Sequence, residues 1–236
     1  MRPASAACGV ASAAVIATGC GTSTHPPSPR SPPRVAGAPA HVGTRHSILI
    51  GRSAMDRPIR AYVIGNPHAR SMLVVGCIHG NEPAGIAVVD ALRRAHPHED
   101  LWLVPVLNPD GLAHDTRGNA NGADLNRDFF RAAQPETRVA RAIVARVRPR
   151  YTIWFHQHMN LVWAFGRSSV AGRRYAQLAG MRYYHHRWLA GTATNWQNHL
   201  PDGERSITVE LPAGRLDVAG LRRQVRAVLG LALAAP

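Results

Sequence analysis

The stretch Met72-Leu-Val-Val-Gly-Cys-Ile-His-Gly-Asn-Glu82 combines an apolar run with two potential metal ligands. Its first seven residues are apolar or small, a pattern typical of a buried strand. His79 and Glu82 follow directly, so the strand places an imidazole and a carboxylate, three positions apart, in one loop. A catalytic zinc site takes three protein ligands and leaves a fourth position for water. The stretch therefore supplies two ligands of a candidate zinc site.

The third ligand is predicted far along the chain. Residues 151–155 form a second apolar run, which predicts another buried strand, and His156 follows it directly. His158 is the competing imidazole, and we favour His156 because it is adjacent to the apolar run. His-x-x-Glu by itself is a common chance pattern, so this assignment depends on the rest of the chain.

A candidate general base lies in Ile207-Thr-Val-Glu-Leu211. Alternation along a strand puts Thr208 and Glu210 on one face and the three aliphatic residues on the other. Glu210 is then either the base that acts beside the metal or a solvated strand residue. The first interpretation requires that this strand lie beside the site.

Strands and helices alternate along the chain. Predicted strands cover 47–50, 58–64, 72–78, 101–107 (broken by Pro105), 151–155 and 207–211, and predicted helices cover 83–95, 135–147 and 217–231. The stretch 171–188 is ambiguous, with a helical start. Residues 108–128 form a long Gly/Asn/Asp-rich segment, and long loops in compact domains tend to be functional. The order predicts an α/β fold, a mixed β-sheet sandwiched by helices.

The first 20 residues resemble an export signal. Arg2 provides a positive start, residues 6–17 are mildly apolar, and Ala17-Thr-Gly19 precedes Cys20. Small residues before a cysteine resemble a bacterial lipobox, so lipidation of Cys20 and secretion without a lipid both remain open. We expect an exported protein, either anchored to a membrane through Cys20 or located in the cell envelope or medium.

Residues 21–43 are rich in Pro, Ser, Thr, Gly and Ala and contain hardly any large apolar residue. Such a segment buries too little apolar surface to offset the entropy of ordering, so we predict a disordered tether. Residues 44–236 are then the catalytic domain, and we expect it to be monomeric. No membrane span is predicted after the signal.

The chain has a formal net charge of +14, and all of its 28 basic residues are arginines. Because these are spread without a dense basic block, we expect an anionic cell envelope rather than nucleic acid as the attracting surface. A bias in genomic base composition is the alternative origin of so much arginine. Cys77 is the one cysteine of the predicted domain, so no disulfide framework is expected, and we interpret it as a small buried hydrophobe.

Five motifs occur in the order seen in zinc carboxypeptidases: His79-x-x-Glu82, Asn108-Pro-Asp-Gly111, Gly122-Ala-Asp-Leu-Asn-Arg127, the strand ending in His156, and Thr208-Val-Glu-Leu-Pro212. From about Ser47 to its end the chain resembles this family, and most of all the short bacterial branch that includes murein peptide amidases. Five ordered motifs are far more specific than any one of them.

The resemblance implies a ligand set and a base. It makes His79, Glu82 and His156 the ligands of one zinc ion per chain, and Glu210 the carboxylate that activates water and later protonates the departing amine.

The resemblance also implies residues that bind the substrate. Asn126 and Arg127 match the pair that holds a substrate carboxylate, a role suited to a planar guanidinium. Arg117 resembles the arginine that stabilises the tetrahedral oxyanion.

The chain departs from the digestive members of the family at several positions. Asn81 replaces an arginine inside the His-x-x-Glu motif, and Asp128 stands where asparagine often follows the Asn-Arg pair. No motif assigns Tyr183 or Tyr184 as the family's substrate-capping tyrosine, and packing explains both better. Residues 191–196 are expected at the pocket rim. The substrate pocket therefore differs from the digestive one.

Three functions are compatible with these patterns. The first is an exported zinc peptidase or amidase that cleaves an amide bond next to a free carboxylate in peptidoglycan stem peptides, with a small wall-derived peptide as substrate. The second is an N-acyl amino acid deacylase of the aspartoacylase or succinylglutamate desuccinylase type. The third is a tethered wall-binding module without turnover.

Overall fold

The computed structural model describes residues 44–201 and 205–233. The predicted signal peptide, residues 1–20, and the predicted tether, residues 21–43, lie outside these ranges. The described residues form an α/β fold in which helices cover both faces of a mixed sheet. The predicted fold class is confirmed.

The sheet begins with a hairpin formed by the first two predicted strands. Strands β1 (Thr44–Arg52) and β2 (Pro58–Gly65) are antiparallel. Strand β2 pairs antiparallel with β4 (Asp100–Val104), and β3 (Ser71–Val75) lies parallel between β4 and β5 (Tyr151–Ala164). The apolar run of residues 72–75 is thus a central strand, and central parallel strands are buried on both faces.

Strand β5 doubles back around β7 (Arg205–Pro212). From Tyr151 opposite Arg205 to Gln157 opposite Leu211, the residue numbers of the two strands increase together. This part of β5 therefore runs parallel to β7. In the second half of β5 the partner numbers decrease, from Leu161 opposite Glu210 to Trp163 opposite Thr208, so this half runs in the opposite direction along β7. Because one residue has one neighbour on each side, β7 lies between the two halves of β5, and β6 (Arg182–His185) pairs with the second half.

Two layers of helices enclose the sheet. One face carries α1 (Ala84–Leu92), α4 (Ser169–Ala179) and α6 (Val218–Ala232), and the other carries α3 (Pro135–Val147) and α5 (Ala193–Asn198). The short α2 (Pro109–Ala113) and a 3-10 turn (Leu125–Arg127) lie within the Gly/Asn/Asp-rich segment. Asp217 caps α6 by accepting from the Gly220 amide, as predicted.

Some predicted boundaries were wrong for identifiable reasons. Strand β3 stops at Val75 rather than at residue 78, because its partner β4 ends at Val104; beyond it, the Cys77 carbonyl accepts from the Leu107 amide in the following loop. Strand β4 stops at Val104 because Pro105 has no N–H to donate. Strand β5 does not end at His156 but continues to Ala164, since its second half finds a partner on the other side of β7.

The ambiguous stretch 171–188 contains most of α4 and all of β6. Among the described residues, no helix is long and apolar enough to cross a membrane.

Candidate metal centre and active site

The three predicted metal ligands converge. His79 Nδ1 and His156 Nδ1 are 3.2 Å apart, and Glu82 Oε2 lies 3.0 Å from the first and 3.1 Å from the second. The three side chains are at most 3% exposed, although two come from the loop after β3 and one from β5, up to 77 positions apart. One imidazole pair and one carboxylate therefore face a common point.

The local chain explains how His79 and Glu82 come together. The Glu82 amide donates to the His79 carbonyl at 3.0 Å, so the loop closes into a tight turn. Gly80 allows this turn to contact the Asn-Pro-Asp-Gly turn, because a Cβ at Gly80 would lie 1.9 Å from the Gly111 carbonyl carbon. Position 80 therefore has to be glycine for the backbone of this turn to pack against the backbone of Gly111.

The cluster fits a zinc ion. Ligand atoms that surround zinc tetrahedrally at about 2.0 Å are about 3.3 Å from one another. The observed separations of 3.0, 3.1 and 3.2 Å are close to this value. Two imidazoles and a carboxylate are also the donor set of known catalytic zinc sites.

The electrostatics favour an ionised Glu82 and a neutral His156, and they act in the opposite sense on His79. Burial opposes the charged form of Glu82, but hydrogen bonds from His156 and His79 outweigh it and hold its pKa well below the usual range. Burial lowers the pKa of His156. Burial acts in the same direction on His79, but there the bonds to Asp124 and Glu82 prevail and raise its pKa.

Asp124 completes the cluster, and sequence reasoning missed it. Its Oδ1 lies 2.9 Å from His79 Nε2, and its Oδ2 accepts from Arg117 Nε at 3.0 Å. A metal-ligating histidine almost always donates its other ring N–H to such an acceptor. That requirement was the available signal, since Asp124 stands inside the quoted Gly122 to Arg127 motif.

Arg117 lies at the cluster, as the family resemblance implied. Its Nη1 donates to Glu82 Oε1 at 2.7 Å, and its side chain remains 46% exposed. The guanidinium is therefore anchored by two carboxylates, those of Glu82 and Asp124, while it still lines the open cavity.

Glu210 stands beside the cluster on the neighbouring strand. It pairs in register with His156, and its Oε2 is buried without a hydrogen-bond partner among the described residues. Burial raises the pKa of Glu210 to about 7, and the negative charge of Glu82 adds to this effect. A carboxylate poised near neutral pH, with a free oxygen, is suited to take up and release a proton.

Asn126 and Arg127 lie together at the opening of the cavity. Asn126 Oδ1 accepts from the Ala193 amide at 2.9 Å, and its Nδ2 lies 3.4 Å from His156 Nε2. Arg127 Nη1 donates to the Asn126 carbonyl at 2.8 Å, and the arginine is exposed. Both are placed where a substrate carboxylate can reach them.

These groups line one cavity of about 220 Å³. Its charged part contains Glu82, Arg117, Arg127 and Glu210. The remaining lining comprises Asn126, His156, Gln157, Met159, Trp163, Trp188, Leu189, Thr192, Thr194 and Thr208. Residues 191–196 were expected at the pocket rim, and Thr192 and Thr194 confirm this prediction.

The residues that we did not favour lie elsewhere. His158 is exposed and lies outside the cluster that contains His156. Tyr183 packs against the core, and Tyr184 is stacked on His186, so neither lines the cavity. Cys77 is fully buried, and burial raises the pKa of its thiol to about 12, as expected for an inert hydrophobe.

Comparison with known proteins shows which proteins this chain resembles. The model of the succinylglutamate desuccinylase/aspartoacylase catalytic domain matches residues 68–159. Probable carboxypeptidase 2 of Trichophyton verrucosum (strain HKI 0517) is 28% identical over 184 residues, which are 71% of this chain and 33% of that protein. Murein peptide amidase A of Escherichia coli (strain K12) is 27% identical over 145 residues, 48% of this chain and 59% of that protein.

The chain is thus similar in sequence to carboxypeptidases and murein peptide amidases. It spans from one third to under two thirds of the length of the two curated relatives, whose names describe hydrolases.

Solved structures show the same fold. The murein-tripeptide amidase of Escherichia coli O157 superposes with a TM-score of 0.65 at 23% identity, covering 80% of this chain and 92% of that one. A metallo-carboxypeptidase from Burkholderia cenocepacia superposes with a TM-score of 0.66 at 18% identity, covering 79% and 64%.

Proposed function

We propose that this protein is an exported zinc-dependent peptidase or amidase that hydrolyses an amide bond next to a free carboxylate. The convergence of three ligand atoms with Glu210 in one cavity supports this proposal above all. Sequence similarity adds support, because the curated relatives are named as carboxypeptidases and murein peptide amidases. Export rests on the first 20 residues alone.

His79, Glu82 and His156 would hold the zinc ion through the atoms that already face one another. A bound zinc ion polarises a scissile carbonyl and lowers the pKa of its water toward about 7. Glu210 takes up the proton of the attacking water and later delivers it to the departing amine. Its pKa of about 7 suits both directions of transfer.

The arginines divide the remaining tasks. Arg127 is exposed at the cavity and donates to the Asn126 carbonyl through Nη1, so the rest of its guanidinium can hold the substrate carboxylate. Arg117 is fixed beside Glu82 and can stabilise the negative charge that develops on the carbonyl oxygen. Its two ion pairs pre-organise it for this role.

Peptidoglycan stem peptides are the substrates that we propose first. They carry free carboxylates beside amide bonds, and the chain is similar in sequence to a murein peptide amidase. Its catalytic domain also has nearly the size of a murein-tripeptide amidase, 92% of which it covers. The net charge of +14 would attract the enzyme to an anionic wall.

A second candidate is the hydrolysis of N-acyl amino acids. The match of residues 68–159 to the succinylglutamate desuccinylase/aspartoacylase catalytic domain favours it. That match ends before Glu210, so it covers the ligands but not the proposed base. In this reaction the leaving group would itself be an anionic amino acid.

The two candidates are separated by a substrate panel. We expect the zinc-loaded protein to hydrolyse a γ-D-glutamyl-diamino acid peptide and to leave N-acetyl-aspartate intact. Removal of zinc by a chelator should abolish hydrolysis, and addition of zinc should restore it. The reverse substrate preference would establish the deacylase instead.

Glu210→Gln is the matched control for this panel. It keeps the size of the side chain but cannot take up a proton, so we expect hydrolysis to fall by about 10²–10⁴-fold while the zinc content stays at one ion per chain. Wall binding by a parent protein that hydrolyses nothing would instead point to a binding module without turnover.

A further inference from the structure

The cavity beside the metal cluster has an aromatic wall that none of the proposed catalytic steps uses. Trp163 and Trp188 both line the cavity, and their rings are stacked with centroids 5.7 Å apart and an interplanar angle of 30°. Leu189 and Met159 extend this wall with apolar surface that is 46% and 56% exposed. We call these four residues the aromatic wall.

The fold holds the wall rigidly at the site. Trp163 belongs to the returning half of β5 and lies opposite Thr208, two residues before Glu210. Its Nε1 donates to the His186 carbonyl at 2.7 Å, and Tyr184 packs edge-on against its ring at 5.7 Å. The indole is thus fixed on the same strand pair that carries the proposed base.

The charges that line the cavity are already committed. Glu82 faces both histidines and Arg117, and Glu210 is assigned to proton transfer. Arg117 is neutralised by Glu82 and Asp124, which leaves Arg127 for one substrate carboxylate. Because Arg117 is also assigned to the oxyanion, no further charged side chain among the described residues that line the cavity remains to bind a second carboxylate.

The cavity is also small. Its volume of about 220 Å³ lies below the range of about 300–1,000 Å³ typical of pockets for whole ligands. It accommodates one side chain beside the reaction centre rather than an extended chain. The aromatic wall then meets the side chain of the residue that Arg127 holds by its carboxylate.

On the basis of the proposed amide hydrolysis, we propose that Trp163 and Trp188 determine specificity by selecting a leaving residue with a long, non-anionic side chain. The faces of indole rings pack well against methylene groups and attract an ammonium group, whereas their negative quadrupole repels a carboxylate. A diamino acid satisfies these conditions. Aspartate and glutamate, the leaving groups of an acyl-aspartate or acyl-glutamate deacylase, do not.

The test uses four γ-D-glutamyl dipeptides whose leaving residue is lysine, norleucine, alanine or glutamate. For the full chain loaded with zinc, we expect kcat/KM for lysine and norleucine to exceed that for alanine and glutamate by about tenfold or more. Trp188→Ala should bring these ratios close to one, and Trp188→Phe should retain most of the preference. Ratios that are unchanged in Trp188→Ala, or a preference for glutamate in the parent protein, would overturn the proposal.

A tryptophan outside the cavity provides the control. Trp102 lies on β4 beneath Arg146, so Trp102→Phe should leave the substrate ratios unchanged. A general loss of stability lowers kcat/KM for all four dipeptides alike and leaves their ratios unchanged. The zinc content of each variant shows that it is folded.

Binding measurements decide the proposal if the parent protein hydrolyses none of the peptides, a result that would contradict the proposed function. Equilibrium dialysis of norleucine, lysine and glutamate against the zinc-loaded chain should then give weakest binding for glutamate. Trp188→Ala should weaken the binding of norleucine and lysine several-fold. No binding of any of the three, or tightest binding of glutamate, would overturn the specificity role itself.

Discussion

Asp124 links two functional groups of the site through a single carboxylate. One oxygen accepts from His79 Nε2 and the other from Arg117 Nε, so the carboxylate orients a metal ligand and the proposed oxyanion-binding guanidinium together. Burial would raise the pKa of Asp124, but the bonds to His79 and the charge of Arg117 outweigh it and hold that pKa well below its usual range. An ionised Asp124 fixes the proton of His79 on Nε2 and leaves Nδ1 free to bind zinc.

We predict that Asp124→Asn lowers the affinity for zinc about 10–100-fold, because the amide is a weaker acceptor and no longer fixes the tautomer of His79. Titration against a competing chelator measures this change. Asp115→Asn is the control, since Asp115 is exposed and its positive φ of 51° is tolerated by asparagine. Equal zinc affinities of the two variants would contradict the prediction.

Two motif loops form one structural unit. Gly80 of the ligand turn abuts Gly111, and Asn108 accepts from the Gly111 amide at 2.8 Å while it donates to the Gly118 carbonyl at 3.1 Å. The ligand turn, the start of α2 and the approach to Arg117 are therefore packed backbone against backbone. The two motifs occur together in the sequence because neither loop fits without the other.

Gly80→Ala should destabilise the fold by more than the roughly 1–3 kcal/mol typical of overpacking, because backbone rather than a flexible side chain blocks the new methyl group. Gly122→Ala provides the contrast: it meets nothing within 4 Å, and its φ of +73° costs only about 1–2 kcal/mol. Urea unfolding of both variants compares the two free energies. A smaller loss for Gly80→Ala than for Gly122→Ala would show that the two loops separate easily.

For the whole molecule, the absence of lysine simplifies the response to alkaline pH. The basic residues are all arginines, so the five tyrosines are the main groups that titrate near pH 10. Tyr175 is fully buried between α4 and α6, where its hydroxyl donates to Gln224 Oε1 at 2.8 Å. Burial raises the pKa of Tyr175 well above 10, so the folded state keeps the phenol neutral.

We predict that the free energy of unfolding falls as the pH rises above about 10, because the unfolded chain then releases the Tyr175 proton and the folded chain does not. The contribution is fully present below pH 10. In Tyr175→Phe this fall should be shallower. The variant's free energy of unfolding at neutral pH should be about 1 kcal/mol lower, because the hydrogen bond to Gln224 is lost. Urea unfolding at pH 8 to 11 gives both slopes, and identical slopes would contradict the assignment.

Much of the candidate site was predictable because its signals are local. An apolar run followed by His79 and Glu82, a second run followed by His156, and alternation around Glu210 each depend on neighbouring residues alone. Helix α3 was predicted at its observed bounds for the same reason, since its apolar spacing and its first-turn proline are local features. The order of the motifs then indicated the resemblance to zinc carboxypeptidases.

The sequence by itself thus determined the fold class and named the candidate ligands and the proposed base. Only the tertiary structure decided that β5 returns along the far side of β7, that Trp163 thereby faces the cavity, and that Asp124 holds both His79 and Arg117. The physical reason is that strand pairing and ion pairing join segments that are distant along the chain. Local periodicity fixes which face of a strand is buried, but the choice of partner depends on the packing of the whole domain.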